Sequence, residues 1–453
     1  MQDDLSTNLP SATGLQGPLI LHLSADYPDS FRNRTTLAVR NLIAATPGFE
    51  HAVVSLKRHA LPWRTYLRKE PRDPVSRVFA FGYWGLPFGI AHLASMWLAA
   101  RRIRALLAEE GIRPQVIHAH KLSFEGIIAW LLARRLGVPF VASLRGEAET
   151  KIVRWKPSYR PLIARVARDA RIIFAVSMWF VPELRRVAPS VDGKIRPLPN
   201  LVSIPPAPAQ SRVPQPPCFV SILDLNVYRK KGFHWLIPAF AIAARAHPDA
   251  TLDVFGWSNE RVDAELRQLV AAAGCGSRVR FRGLQPHAQI LDALPRYAAL
   301  LLPSVNETFG MVYLEALFAG VPVLYTKGTG IDGHLDGLSV GAGVPAGSID
   351  AIAAAIDDFC RNGARWRDAV RRQRPELEAR FGQAGIVARY TGDILSLLER
   401  SSHREGGFSA ERIGQTDPLQ KGAPAAAIDL LLRRQLSSPG LRIQRSLPRR
   451  FRI

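Results

Sequence analysis

Cysteine is scarce in this 453-residue chain: Cys218, Cys275 and Cys360 stand far apart and odd in number. That argues against a disulfide framework and fits a reducing compartment. No C-x-x-C or H-x-x-x-H spacing offers a zinc site. No D-x-D occurs, so paired aspartates that chelate a metal–nucleotide complex are not supported. No apolar run is long and charge-free enough to span a bilayer. The opening "MQDDLSTNLPSATG" is polar and acidic, without the basic and apolar regions of a secretory signal. A cytoplasmic protein is expected.

Acidic residues are also short: 38 Asp and Glu against 60 Lys and Arg give a net charge of +22. The surplus is uneven, +14 over residues 1–200, +2 over 201–400 and +6 over 401–453. The first half is therefore the half that would meet a polyanion or an anionic membrane. Residues 75–107, aromatic and apolar with basic flanks, read either as a core helix plus loop or as a surface dipping into a bilayer.

What the chain does have is alternation. Short apolar strand signals at 19–25, 51–56, 114–120, 139–146, 171–177 and 195–200 are separated by helical stretches. A Pro-rich segment, 203–217, cannot hold a regular element and reads as a linker. The alternation restarts at 218–223, 251–256, 279–283, 299–304 and 321–326. Two doubly wound α/β domains are expected, over 15–202 and 218–400. The last helix is a candidate to pack back on the first domain, and 401–453 should form a disordered basic tail.

Ligands of such sheets bind beyond the carboxyl ends of the strands, and two facing domains place the site in the cleft between them. Candidates there are His118 and His120, Arg145 with Glu147, Asn200, and the run Ser304–Gly310. The stretch "NETFGMVYLEALFAGVPVL", 306–324, raises a specific question. Helical spacing puts Met311, Leu314, Glu315 and Phe318 on one inward stripe, and a carboxylate there is costly unless it has a partner. Glu307 in the preceding loop can accept from sugar hydroxyls, and Glu315 from a ribose. The helix opening near Phe309 and Gly310 offers N–H groups to a phosphate. Arg229, Lys230 and Lys231, ahead of Gly232, supply cations at the first strand–helix turn of the second half.

The segment "PSVNETFGMVYLEALFAGVPVL" resembles the E-x7-E signature of the retaining glycosyltransferases of family 4, which have the GT-B fold. "VIHAH", "VPFVASLRGE", "PLPN", "RKKGFHWLIPAF" and "VPAGSIDAIAAAI" follow family order across about 19–395. The resemblance implies Glu307 on the donor sugar, Glu315 on the nucleoside ribose, and Lys231 with Arg229 on the diphosphate. Their places at strand ends and helix starts add Gly232, Asn200, Ser304, Thr308, Phe309 and Gly310 to the donor candidates, and Glu307, Arg145 and His120 are the catalytic candidates. His118, Glu147 and Arg32 fall on the acceptor side. Where the family has Gly-Arg-Leu this chain has "SILDLN", leaving Arg229 or Lys230 to replace an arginine. The usual His-Gly is Arg145-Gly146, and the usual Gly-Gly loop is "DYPDSFRNRTT".

The activity so implied moves a hexosyl group, with retention and without a metal or other cofactor, from a UDP- or GDP-sugar to a glycan or lipid-linked glycan. Exopolysaccharide or cell-envelope synthesis is the expected setting, with peripheral contact to the inner face of the membrane and no nucleic-acid partner. The rivals are a GT-B-like sugar-nucleotide epimerase and a non-enzymatic polyanion binder.

Overall fold

A computed structural model describes residues 17–31, 36–71, 73, 75–86, 91–202, 204 and 215–406. Arg32, most of the 203–217 segment and the tail after 406 lie outside the described residues.

Eight strands form the first sheet: β1 Leu19–Ser24, β2 Glu50–His59, β3 Tyr66–Lys69, β4 Arg77–Trp84, β5 Val116–Ala119, β6 Phe140–Leu144, β7 Ile173–Ala175 and β8 Ile195–Pro197. Their order is β3-β4-β2-β1-β5-β6-β7-β8, parallel except for the β3–β4 pair. All six residues of β1 are buried, as expected of a strand covered by helices on both faces. The second sheet holds β9 Cys218–Ile222, β10 Thr251–Phe255, β11 Val279–Gly283, β12 Leu300–Leu301, β13 Val323–Thr326 and β14 Gly341–Val344. Its order is β11-β10-β9-β12-β13-β14, all parallel.

In each sheet the chain runs outward on one side, then returns to the centre and runs out on the other. The reversals fall between β1 and β5 and between β9 and β12. Those are the switch points where an open α/β sheet leaves a crevice.

Residues 75–107 correct the expectation of a helix plus loop. Their first part is β4, with Val78, Phe79, Ala80, Phe81 and Tyr83 buried in the sheet, and only the second part enters helix α2 His92–Glu109. A strand buried on both faces carries no alternation to separate it from a buried helix. The final helix, Gln383–Gly406, turns Ile386, Tyr390, Ile394 and Leu397 onto Ile20, Val116, Val141 and Phe174 of the first sheet. Among the described residues no helix is long and apolar enough to cross a membrane.

Candidate active site

The loop from β12 to helix α10 (Met311–Phe318) is held from several directions. Val305 N–H donates to the Lys230 carbonyl at 3.0 Å. Glu307 N–H donates to Thr329 Oγ1 at 2.8 Å, and the Glu307 carbonyl accepts from Gly330 N–H at 2.9 Å. Gly310 caps the helix at φ +77°, where a Cβ would meet the Tyr313 ring at 2.5 Å. Only glycine fits both the sign of φ and the space. With no side chain at this cap and no acid in the first turn, the helix presents bare N–H groups to an anion.

Both glutamates are mostly covered, and each meets a basic side chain from another element. The Glu307 carboxylate meets Lys231 Nζ at 2.5 Å, with both side chains mostly covered. Glu315 is 9% exposed, flanked in sequence by the fully buried Leu314 and Ala316, and accepts from His287 Nε2 at 3.0 Å. A partner at the rim thus offsets the cost of a carboxylate on an apolar face.

Lys231 owes its place to the turn after β9. Gly232, at φ +72°, opens helix α7 (Phe233–Ala246), and a Cβ there would lie 1.9 Å from the Pro303 carbonyl oxygen. The K-G turn and the Glu307 loop are therefore in backbone contact. The three cations diverge. Arg229 is exposed with its guanidinium 5.2 Å from the Tyr228 ring, Lys230 pairs with Glu147 at 3.0 Å, and Lys231 reaches Glu307.

Beside them, at the carboxyl ends of β9, β10 and β11, lies a cavity of about 620 Å³. Leu223, Asp224, Gly256, Trp257, Leu284 and Gln285 are among the residues lining it. His287, the partner of Glu315, follows Gln285 by two residues.

The two halves meet across this site. Ser177 Oγ lies 2.6 Å from the Thr308 carbonyl and 2.7 Å from that of Arg145, and its single hydrogen serves one at a time. Trp179 Nε1–H donates to the Thr308 carbonyl at 3.3 Å, and His334 Nε2–H to the Val176 carbonyl at 2.9 Å. Thr308 thus reaches the first half through its backbone. Ser304 and Phe309 are buried, at 0% and 1% exposure, and Ser304 Oγ donates to the Lys230 carbonyl at 3.4 Å. Asn200, half-buried beyond the edge strand β8, has no hydrogen bond to this group among the described residues.

On the first sheet, the ends of β1, β5 and β6 gather charge. Arg145 is 6% exposed and donates from Nε to the His120 carbonyl at 3.0 Å. Lys121 pairs with Asp26 at 2.7 Å. Glu125, 1% exposed, accepts from Ala25 N–H at 2.6 Å, and burial pushes its carboxyl up to about 8. Glu149, equally buried, accepts from Ser123 N–H at 3.2 Å, and burial raises it too. Sequence reasoning missed Asp26, Lys121, Glu125 and Glu149, although the argument that singled out Glu315 applies to Glu125, which begins an apolar helix.

His118 corrects its acceptor-side assignment. Its Nδ1 meets Tyr390 Oη and its Nε2 meets Ser143 Oγ, both at 2.9 Å, and no part of it is exposed. It is a satisfied core histidine. His120 is also buried, stacked on His118 with centroids 4.1 Å apart and bonded through Nε2 to His22 Nδ1 at 3.0 Å. Nitrogens of His22, His118 and His120 come within 4.8 Å of one another. Rings that stack and bond to neighbours do not converge on a metal ion as ligands must.

Two family descriptions match the chain: "Glycosyl transferase 4-like domain" over residues 35–200 and "Glycosyl transferases group 1" over residues 218–385. Together they span more than half of it. The chain is a GT-B glycosyltransferase. Glycogen synthase of Mycobacterium tuberculosis is 27% identical over 85% of this chain and 96% of its own. The D-inositol 3-phosphate glycosyltransferase of Streptomyces avermitilis is 27% identical over 60% of this chain and 62% of its own. In fold, this glycosyltransferase matches sucrose-phosphate synthase from Thermosynechococcus elongatus with a TM-score of 0.66, at 19% identity over 85% of this chain and 100% of that one. It matches Anabaena HepE in complex with UDP-glucose with a TM-score of 0.56, at 16% identity over 83% and 99%.

Proposed function

We propose that this glycosyltransferase transfers a hexosyl group with retention from a UDP- or GDP-sugar to a glycan or lipid-linked glycan of the cell envelope or an exopolysaccharide. The observation that carries the donor half is the contact of Lys231 with Glu307 beside the bare N-terminus of α10. The relatives of known structure include proteins bound to UDP and UDP-glucose, which supports a nucleotide-sugar donor.

In this reading the nucleobase occupies the cavity at Trp257 and Leu284, and Glu315 accepts from the ribose hydroxyls. Lys231 and the α10 N–H groups stabilise negative charge on the departing diphosphate, which concentrates there in the transition state. Glu307 orients the sugar by accepting from its hydroxyls. The acceptor lies against the Arg145–Lys121 cluster, and its proton passes to a diphosphate oxygen on the face the leaving group vacates. Positioning of the two substrates supplies much of the remaining acceleration. The cationic charge comes from protein groups, so no metal is required.

The working place is the cytoplasm, with peripheral contact to an anionic membrane surface. Residues 57–69 and 92–108 carry eight Lys and Arg with no Asp or Glu, beside the exposed Trp63 and Leu98. Such a face suits anionic headgroups.

A screen of purified protein against UDP- and GDP-hexoses, reading nucleotide release and the anomeric configuration of the product, tests the proposal. An inverted product ends the claim of retention, and release that survives Glu307→Ala ends the site assignment.

A further inference from the structure

Four buried histidines sit at the centre of the first sheet, and three of them form a line. His51 Nε2 lies 3.0 Å from the Thr46 carbonyl oxygen, His51 Nδ1 lies 2.9 Å from His22 Nε2, and His22 Nδ1 lies 3.0 Å from His120 Nε2. His22, His51 and His120 are 0%, 5% and 1% exposed. Desolvation by burial, reinforced for His22 and His120 by neighbouring imidazoles, holds all three below the ordinary histidine range, so each is neutral and carries one ring proton.

One end of the line fixes everything after it. A carbonyl oxygen only accepts, and Thr46 Oγ1, 3.3 Å from the same nitrogen, spends its single hydrogen on the Leu42 and Ile43 carbonyls at 3.0 and 3.1 Å, so His51 carries its proton on Nε2. Its Nδ1 is then bare and must accept, which places the His22 proton on Nε2. His22 Nδ1 is bare in turn, which places the His120 proton on Nε2. His120 Nδ1 is left without a proton, and this buried atom has no hydrogen-bond partner among the described residues. The residue stands just past the carboxyl end of β5, at the switch point, where its carbonyl receives the Arg145 donor.

We propose that His51 and His22 are positioning residues that lock His120 with Nδ1 as a permanent hydrogen-bond acceptor, aimed at a hydroxyl of the sugar or polyol acceptor. The role rests on the glycosyltransferase reading of the acceptor side; the direction of the hydrogen bonds does not. The same line cannot serve as a proton wire. A proton taken at Nδ1 and relayed through His22 and His51 would arrive at an amide carbonyl, which cannot hold it. His120 therefore orients the hydroxyl, and the proton leaves by another route.

Long-range proton–nitrogen correlation on the intact, nitrogen-15 histidine-labelled chain reads ring protonation directly and needs no substrate. His120 is assigned by loss of its signals in His120→Gln. The expected pattern is a protonated Nε2 and a bare Nδ1 on His51, His22 and His120 alike. A protonated Nδ1 on His120 overturns the proposal, whether or not the protein proves to be a transferase.

The second arm uses His51→Phe, which keeps the ring and removes both nitrogens, and His51→Gln, whose amide can still donate to Thr46 and accept from His22. With UDP-glucose as donor and a lipid-linked glycan extract as acceptor, His51→Phe should lower transfer turnover on the order of tenfold, the scale at which partners of functional histidines act. The donor KM should stay unchanged, and His51→Gln should restore turnover. Equal turnover in wild type and a folded His51→Phe variant overturns the positioning role. Should His51→Phe not fold, unrestored turnover in His51→Gln with a wild-type ring pattern does the same. Loss of all transfer in the wild type counts against the donor and acceptor reading and leaves the correlation result to decide the direction of the line.

Discussion

Lys231 Nζ and the Glu307 carboxylate neutralise each other across 2.5 Å. The pair therefore stores, in one contact, the cation for a diphosphate and the acceptor for a sugar hydroxyl. Binding of a nucleotide sugar must part them, moving the ammonium to phosphate and freeing the carboxylate. Lys231→Ala should lower kcat/KM for the donor by about 100-fold, the loss typical of one charge-stabilising donor. Glu307→Gln should cost transfer by a similar factor yet leave UDP affinity at or above wild type, because Lys231 is then released to phosphate. Calorimetry with UDP checks the second half, and a Glu307→Gln protein that binds UDP more weakly would contradict the exchange.

Glu315 and His287 should govern the nucleoside rather than the chemistry. Glu315→Gln is expected to weaken UDP by roughly 1.5–3 kcal/mol, the range for a hydrogen bond to a charged group. More tellingly, the variant should lose the preference for UDP over its 2′,3′-dideoxy analogue. If the preference survives, the carboxylate does not touch the ribose.

Gly232→Ala combines a left-handed φ with a Cβ 1.9 Å from the Pro303 oxygen. Both effects act on the folded state, so a loss of about 2–4 kcal/mol is expected in urea titration. Gly274→Ala, also at positive φ but with open space around its Cβ, should cost less. Equal losses would show that only φ matters.

Acid sensitivity follows from the buried histidines. Burial lowers His118 to about 3, and His92 and His334 to about 4, from 6.5. Above pH 6.5 neither the folded nor the unfolded chain binds these protons. As pH falls below 6.5 the unfolded chain takes them up and the folded one resists, so stability drains by about 1.4 kcal/mol per pH unit for each group until its folded pKa is reached. Urea midpoints from pH 7.5 to pH 5 should fall steeply, and His334→Asn should flatten the fall. An unchanged slope in that variant would remove His334 from the account.

The alternation of strands and helices was legible because parallel strands are short apolar runs bounded by turn residues. β4 was not, since "RVFAFGYW" is apolar on both faces and gives neither period. Glu307, Glu315, Lys231 and Gly232 were legible because each violates its local pattern or sits at a strand–helix turn. The three-way parting of Arg229, Lys230 and Lys231 was not, because successive side chains in a tight turn point apart and sequence gives no direction. His118 and His120 share a strand face but differ in role, and the difference lies in Tyr390, 272 residues from His118. No local reading could supply that partner.

Tyr390 carries one more implication. The helix that bears it closes the face of the first sheet at Ile20, Val116 and Val141, although translation delivers it some two hundred residues after β8. A nascent chain emerging from the ribosome must hold that apolar surface open, with His118 lacking its phenol, until the whole second sheet has been made. Excising residues 17–202 as a stand-alone fragment would freeze the protein in that unfinished state, prone to aggregate, while adding residues 383–399 as a separate peptide should rescue it.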